Sequence, residues 1–116
     1  MKKLVAIKTL RNKADRLIQE WGREKYKTCL VCDNPISCLH HYFPKSMSSA
    51  LRYDEDNLIP LCVGCHLRHH NGDPRIHNTV NKLLGNKWLK DLTKKKHLIV
   101  KANRAFYEEV IKKYEN

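Results

Sequence analysis

At 116 residues the chain is long enough for one domain, and a core that small is short of stability unless something else closes it. Its 23 lysines and arginines stand against 12 acidic residues, and a formal charge of +11 points to a polyanionic partner, nucleic acid ahead of an anionic membrane surface. No stretch approaches the roughly 20 apolar residues of a membrane span, and five cysteines suit metal in a reducing, cytoplasmic compartment rather than disulfides.

Met1-Lys2-Lys3 followed by Leu4 to Ile7 imitates the start of a signal peptide, but Lys8 and Arg11 cut the apolar stretch far short of one. Ile7, Leu10, Ala14, Leu17, Ile18 and Trp21 recur at helical spacing and predict an amphipathic helix over residues 5–24. Arg11, Lys13, Arg16 and Arg23 fall on its other face, and Gly22 marks a fraying end. Cys29 to Cys32 is a tight knuckle closed by Asp33-Asn34-Pro35. A strand over residues 37–43, ended by Pro44, and a second over residues 57–61 enclose a loop rich in serine and charge. The second knuckle, Cys62 to Cys65, opens a helix that runs from about Val63 to a left-handed cap at Asn71-Gly72.

Asp73-Pro74 supplies an N-cap with proline in the first turn. The helix it starts buries Ile76, Val80, Leu83 and Leu84 and ends at Gly85; Trp88, Leu89 and Leu92 form a short further one. Leu98, Ile99, Ala102, Ala105, Phe106, Val110 and Tyr114 predict a last helix of about 18 residues. Trp21, Trp88, Phe106 and Tyr107 read as core, although such rings also stack on bases. Cys38 reads as a small apolar strand residue, and His77 and His97 as surface or capping residues.

Paired two-residue spacings let Cys29, Cys32, Cys62 and Cys65 reach one tetrahedral ion, so the two knuckles, 29 residues apart, predict a structural zinc. The bracket encloses His40-His41 and runs directly into His66, with His70 one turn further on the same helix face. Charge is unevenly placed. Residues 1–28 hold nine basic and three acidic residues, residues 29–74 three and five, and residues 75–116 eleven and four. Two cationic flanks therefore enclose a site that is not itself basic, and both flanks together point to phosphate contact.

Cys29-Leu-Val-Cys32, Leu39-His40-His41, Asp56-Asn57-Leu58 and Leu61-Cys62-Val-Gly-Cys65-His66, in that order, resemble the HNH (His-Me finger, ββα-metal) nuclease family from Cys29 to about His70. The resemblance implies one α+β, mostly helical domain over residues 1–116. Its zinc-stapled ββα-metal hairpin-helix core occupies residues 29–72, between a basic N-terminal helix (1–28) and a basic helical extension (73–116). It implies a metal-dependent DNA endonuclease that leaves 5′-phosphate and 3′-hydroxyl ends. In it His41 is the general base, Asn57 braces the hairpin and orients His41, and His40 and His66 hold one divalent ion, Mg2+, Mn2+, Ni2+ or Zn2+.

His70 is a candidate third ligand, because some members of the family ligate through such a pair. Many members carry aspartate where His40 stands, and imidazole there moves preference from magnesium toward manganese, nickel or zinc. Lys45, Arg52 and Arg68, the basic residues nearest the site in sequence, are candidates for holding the phosphate. The flanks are more weakly similar to the NinG (Rap) recombination nucleases of lambdoid phages, through Arg75-Ile76 to Leu84-Gly85 and the closing basic helix. That likeness implies branched recombination intermediates of phage DNA, a homodimer for paired cuts, and a bacterial or phage-infected cytoplasm; without it, plain duplex or single-stranded DNA and a monomer stay open. The competing readings are a non-catalytic zinc-finger DNA-binding module and a phage packaging accessory protein.

Overall fold

The computed structural model describes residues 4–115; the lysines at the chain start, compared above with a signal peptide, lie outside them. Helix α1 spans Ile7–Lys25 and buries Ala14, Ile18 and Gly22. Gly22 is not a fraying end. It lies inside the helix where α1 crosses strand β1, and a Cβ there would fall 2.2 Å from a Leu39 methyl. Glycine is used because it lets the two backbones approach.

Strand β1 (Cys38–His41) pairs antiparallel with β2 (Leu58–Leu61), Cys38 opposite Leu61 and His41 opposite Leu58. Both strands are shorter than their sequence suggests. The backbone at Asn57 is taken by a one-turn helix, Glu55–Asn57, and beyond His41 only Tyr42 N–H continues the ladder, to the Asn57 carbonyl. Side chains alternate across the hairpin. Leu39 and Leu58 join a core made with α1 and the last helix, whereas Ile59 and Leu61 join the core that holds Cys29, Cys62 and Cys65.

Helix α2 (Val63–His70) is N-capped by Cys62 and ends in the left-handed Gly72 at φ 86°. Helix α3 (Pro74–Lys96) starts on the Asp73 cap, bends where Gly85 adopts φ 90°, and is closed by His97. Helix α4 (Arg104–Tyr114) packs on α1. The expected helix of about 18 residues is thus cut to 11, because the Asn103 side chain caps a new start at Phe106 N–H. Leu98 and Ile99, 61% and 97% exposed, lie in the preceding connection and bury nothing.

Of the aromatic residues expected in the core, Tyr107 is buried and the others pack half-buried against the two cores: Trp21 meets Tyr114 and Tyr26 edge-on, Trp88 meets Tyr42, and Phe106 lies by Tyr53. The acidic run Asp54-Glu55-Asp56 fastens the C-terminal helices to the hairpin. Lys95 Nζ lies 3.2 and 3.0 Å from the Asp54 and Asp56 carboxylates, and the Tyr114 hydroxyl donates to Glu55 at 2.6 Å. No described helix is long and apolar enough to cross a membrane.

Candidate functional site

The four knuckle cysteines converge. Cys32 Sγ lies 3.4 Å from Cys62 Sγ and 3.6 Å from Cys65 Sγ, and all four sulfurs fall within 4.8 Å of one another. Four sulfurs at about 2.3 Å from one tetrahedral zinc stand about 3.8 Å apart, so the set fits that ion. Asp33, at φ 64°, turns the first knuckle back on itself. Backbone N–H groups of Val31 and Cys65 point at the sulfurs of Cys29 and Cys62, both at 3.4 Å. The Cys65 N–H lowers the Cys62 thiol to about 7, whereas burial and then the neighbouring thiols push Cys65 up.

The second cluster lies where β1 meets α2. His40 shares a strand face with Cys38 and looks toward α2, whose residues 66, 69 and 70 share one side. One ligand atom each from His40, His66 and His70 falls within a common 4.8 Å, and the Nε2 atoms of His66 and His70 are 2.9 Å apart. These rings line an open cleft of about 590 Å³ together with His41, His69 and Lys45. Among the described residues, no carboxylate lines it.

Burial, and then the neighbouring imidazoles of His69, His66, His70 and His41, lower His40 to about 3. Burial also lowers His66, with His70 and His69 adding to it. Crowded imidazoles that resist protonation present free lone pairs. A set of nitrogen donors without a carboxylate fits a borderline divalent ion better than magnesium.

His41, on the opposite strand face, enters the same cleft. Its Nε2 is 2.9 Å from the Arg52 carbonyl oxygen. A carbonyl can only accept, so Nε2 carries the proton and Nδ1 is left as the basic nitrogen. Burial lowers His41 below the usual imidazole range, against the opposing pull of that hydrogen bond.

Two sequence assignments change here, and the role expected of Asn57 takes an indirect route. The Asn57 side chain makes no hydrogen bond to His41. Wholly buried, it accepts from Phe43 N–H at 2.8 Å and donates to the Phe43 and Leu51 carbonyls, both at 3.1 Å, so it braces the loop whose next carbonyl holds His41. Arg52 does not face the cleft with a free charge. Its guanidinium forms two bonds with the Asp15 carboxylate, at 3.0 and 2.6 Å, and Tyr53 donates to the same group. Burial alone would raise Asp15, yet the bonds from Arg52 and Tyr53 outweigh it and hold the carboxyl below its usual range. Arg68 points toward Cys65 Sγ at 3.9 Å, on the cysteine side of α2. Lys45 alone of the three lines the cleft.

Two residues of the site escaped the sequence reading. His69 lines the cleft with its ring centroid 4.4 Å from that of His40, and its i,i+3 spacing from His66 was the available signal. Gln19 of α1 donates to the Leu39 carbonyl at 2.9 Å and accepts from Leu39 N–H at 2.8 Å, closing the free edge of β1 beside His40. Nothing local in the sequence announces that contact.

Residues 29–72 match the family model for the HNH endonuclease. The expected likeness of the flanks to NinG (Rap) nucleases falls outside that match. No curated protein and no solved structure matches the chain.

Proposed function

We infer that this chain, whose residues 29–72 form an HNH endonuclease-family segment, is a divalent-metal-dependent DNA endonuclease producing 5′-phosphate and 3′-hydroxyl ends. The observation that carries the reading is the convergence of His40, His66 and His70 in one cleft that His41 also enters. A divalent ion held by these three imidazoles supplies positive charge to the phosphate and the departing 3′ oxygen when bound.

The remaining work falls to the chain. His41 Nδ1 accepts the proton of the attacking water, while its Nε2–H stays on the Arg52 carbonyl and fixes the ring. Asn57 holds the intervening loop so that this carbonyl keeps its place. Lys45 at the lip of the cleft draws the phosphate in. With imidazole where many relatives carry aspartate, manganese, nickel or zinc should support faster cleavage than magnesium at equal free-ion concentration.

His41→Ala separates this reading from a non-catalytic zinc-finger binder. Cleavage should fall by on the order of 10²–10⁴-fold, while DNA affinity and zinc content persist; unchanged nicking would reject His41 as the base. Junction, flap, duplex and single-stranded substrates compared side by side decide between branched and plain DNA as the target.

A further inference from the structure

We propose that the cleft-facing side of α1 is a rail for the phosphate backbone of DNA, carried by Lys8 and Arg23 with Asn12, Arg16 and Gln19 between them. This rests on the reading of the cleft as the place where a phosphodiester is cut. Each helical residue turns by about 100°, which places Lys8, Asn12, Gln19 and Arg23 within about 60° of one another and Arg16 just beyond. Gln19 fixes which way that side looks, because it lines the cleft and bonds the edge of β1.

Lys8, Asn12, Arg16 and Arg23 are exposed. Lys8 and Arg23 have no ion-pair partner among the described residues, whereas Lys13, Lys25, Lys95 and Lys113 are tied to Glu115, Asp54, Glu55 or Asp56. Of the acids bordering this side of α1, Asp15 is taken up by Arg52 and Tyr53, and Glu20 by Arg16 at 3.1 Å, so the free charge of the rail is that of Lys8 and Arg23. From Lys8 to Arg23 the helix rises about 22 Å, the axial length of about six or seven nucleotides of one strand. A strand entering the cleft past Lys45 would leave along α1.

The test compares Lys8→Gln/Arg23→Gln with a control of equal charge on α3, Lys87→Gln/Lys90→Gln. Affinity for a labelled DNA duplex is measured by fluorescence anisotropy between about 50 and 200 mM KCl, without added divalent ion. Each lost phosphate contact removes about 0.9 from the slope of log affinity against log salt, so the α1 pair should flatten it by about 2 and the α3 pair should leave it unchanged. An unaltered slope in the α1 pair, or equal flattening in both, would overturn the proposal. Binding is read here without cleavage. If the unmodified chain failed to cut DNA with any metal, the nuclease reading would fall while the slope comparison still decided the rail.

Discussion

His41 and Arg52 divide one small region between chemistry and structure. The Arg52 backbone oxygen fixes the tautomer of His41, while its guanidinium is spent on Asp15, at side-chain exposures of 18% and 27%. Because burial lowers His41 in the folded chain, its neutral form persists below the usual imidazole value of about 6.5. Cleavage should therefore stay level from about pH 8 to 6.5 and fall only below that, as Nδ1 takes up a proton. Stability carries the same sign: a neutral buried histidine contributes fully above the unfolded value, and that contribution is lost as pH falls from there through the lower folded value. A pH–rate profile for the unmodified chain checks this, and a rate that already falls between about pH 8 and 6.5 would contradict a base kept neutral by burial. The histidines were legible from their spacing. The occupation of Arg52 was not, because Asp15 lies 37 residues earlier in the chain.

At the scale of elements, the contact between α1 and β1 sets the histidine cleft. Gln19 pairs with the Leu39 backbone, and Gly22 lets Leu39 press against the helix. Gly22→Ala would gain up to about 1 kcal/mol of helix propensity, but the added methyl meets the buried Leu39 Cγ at 2.4 Å. Overpacking should win, with a net loss of about 1–3 kcal/mol in denaturant unfolding and a drop in cleavage as His40 shifts; a more stable variant would contradict the close approach. Helix caps were readable directly, at Asp73-Pro74 and Gly72, since their chemistry is local. The last helix was overextended for the opposite reason. Leu98 and Ile99 continue the apolar period, yet no neighbouring surface receives them.

For the whole molecule, three of the four knuckle cysteines, Cys29, Cys62 and Cys65, lie inside one of the two cores, so zinc binding and folding should be one event. Cys62→Ser isolates the metal's share, because serine keeps the cap of α2 while removing a ligand. Structural zinc contributes about 10–16 kcal/mol in small domains, so this variant should lose zinc and unfold the hairpin and α2, as read by metal content and circular dichroism. A native-like, stable apo-protein would refute the coupling. Charge also acts at this scale. The acidic run that makes the middle of the chain look non-basic is consumed by lysines of both flanks, and among the described residues no carboxylate lines the cleft itself.

The sequence alone determined the two knuckles, the histidines they bracket, the order of hairpin and helix, and the positive balance. Thiol and imidazole spacing, helix caps and strand alternation act over a few residues and can be read along the chain. Tertiary structure alone decided which cations remain free, which carbonyl holds His41, and that Gln19 and His69 belong to the cleft. Each of those depends on groups far apart in the chain competing for the same partner, and only packing settles which pair meets.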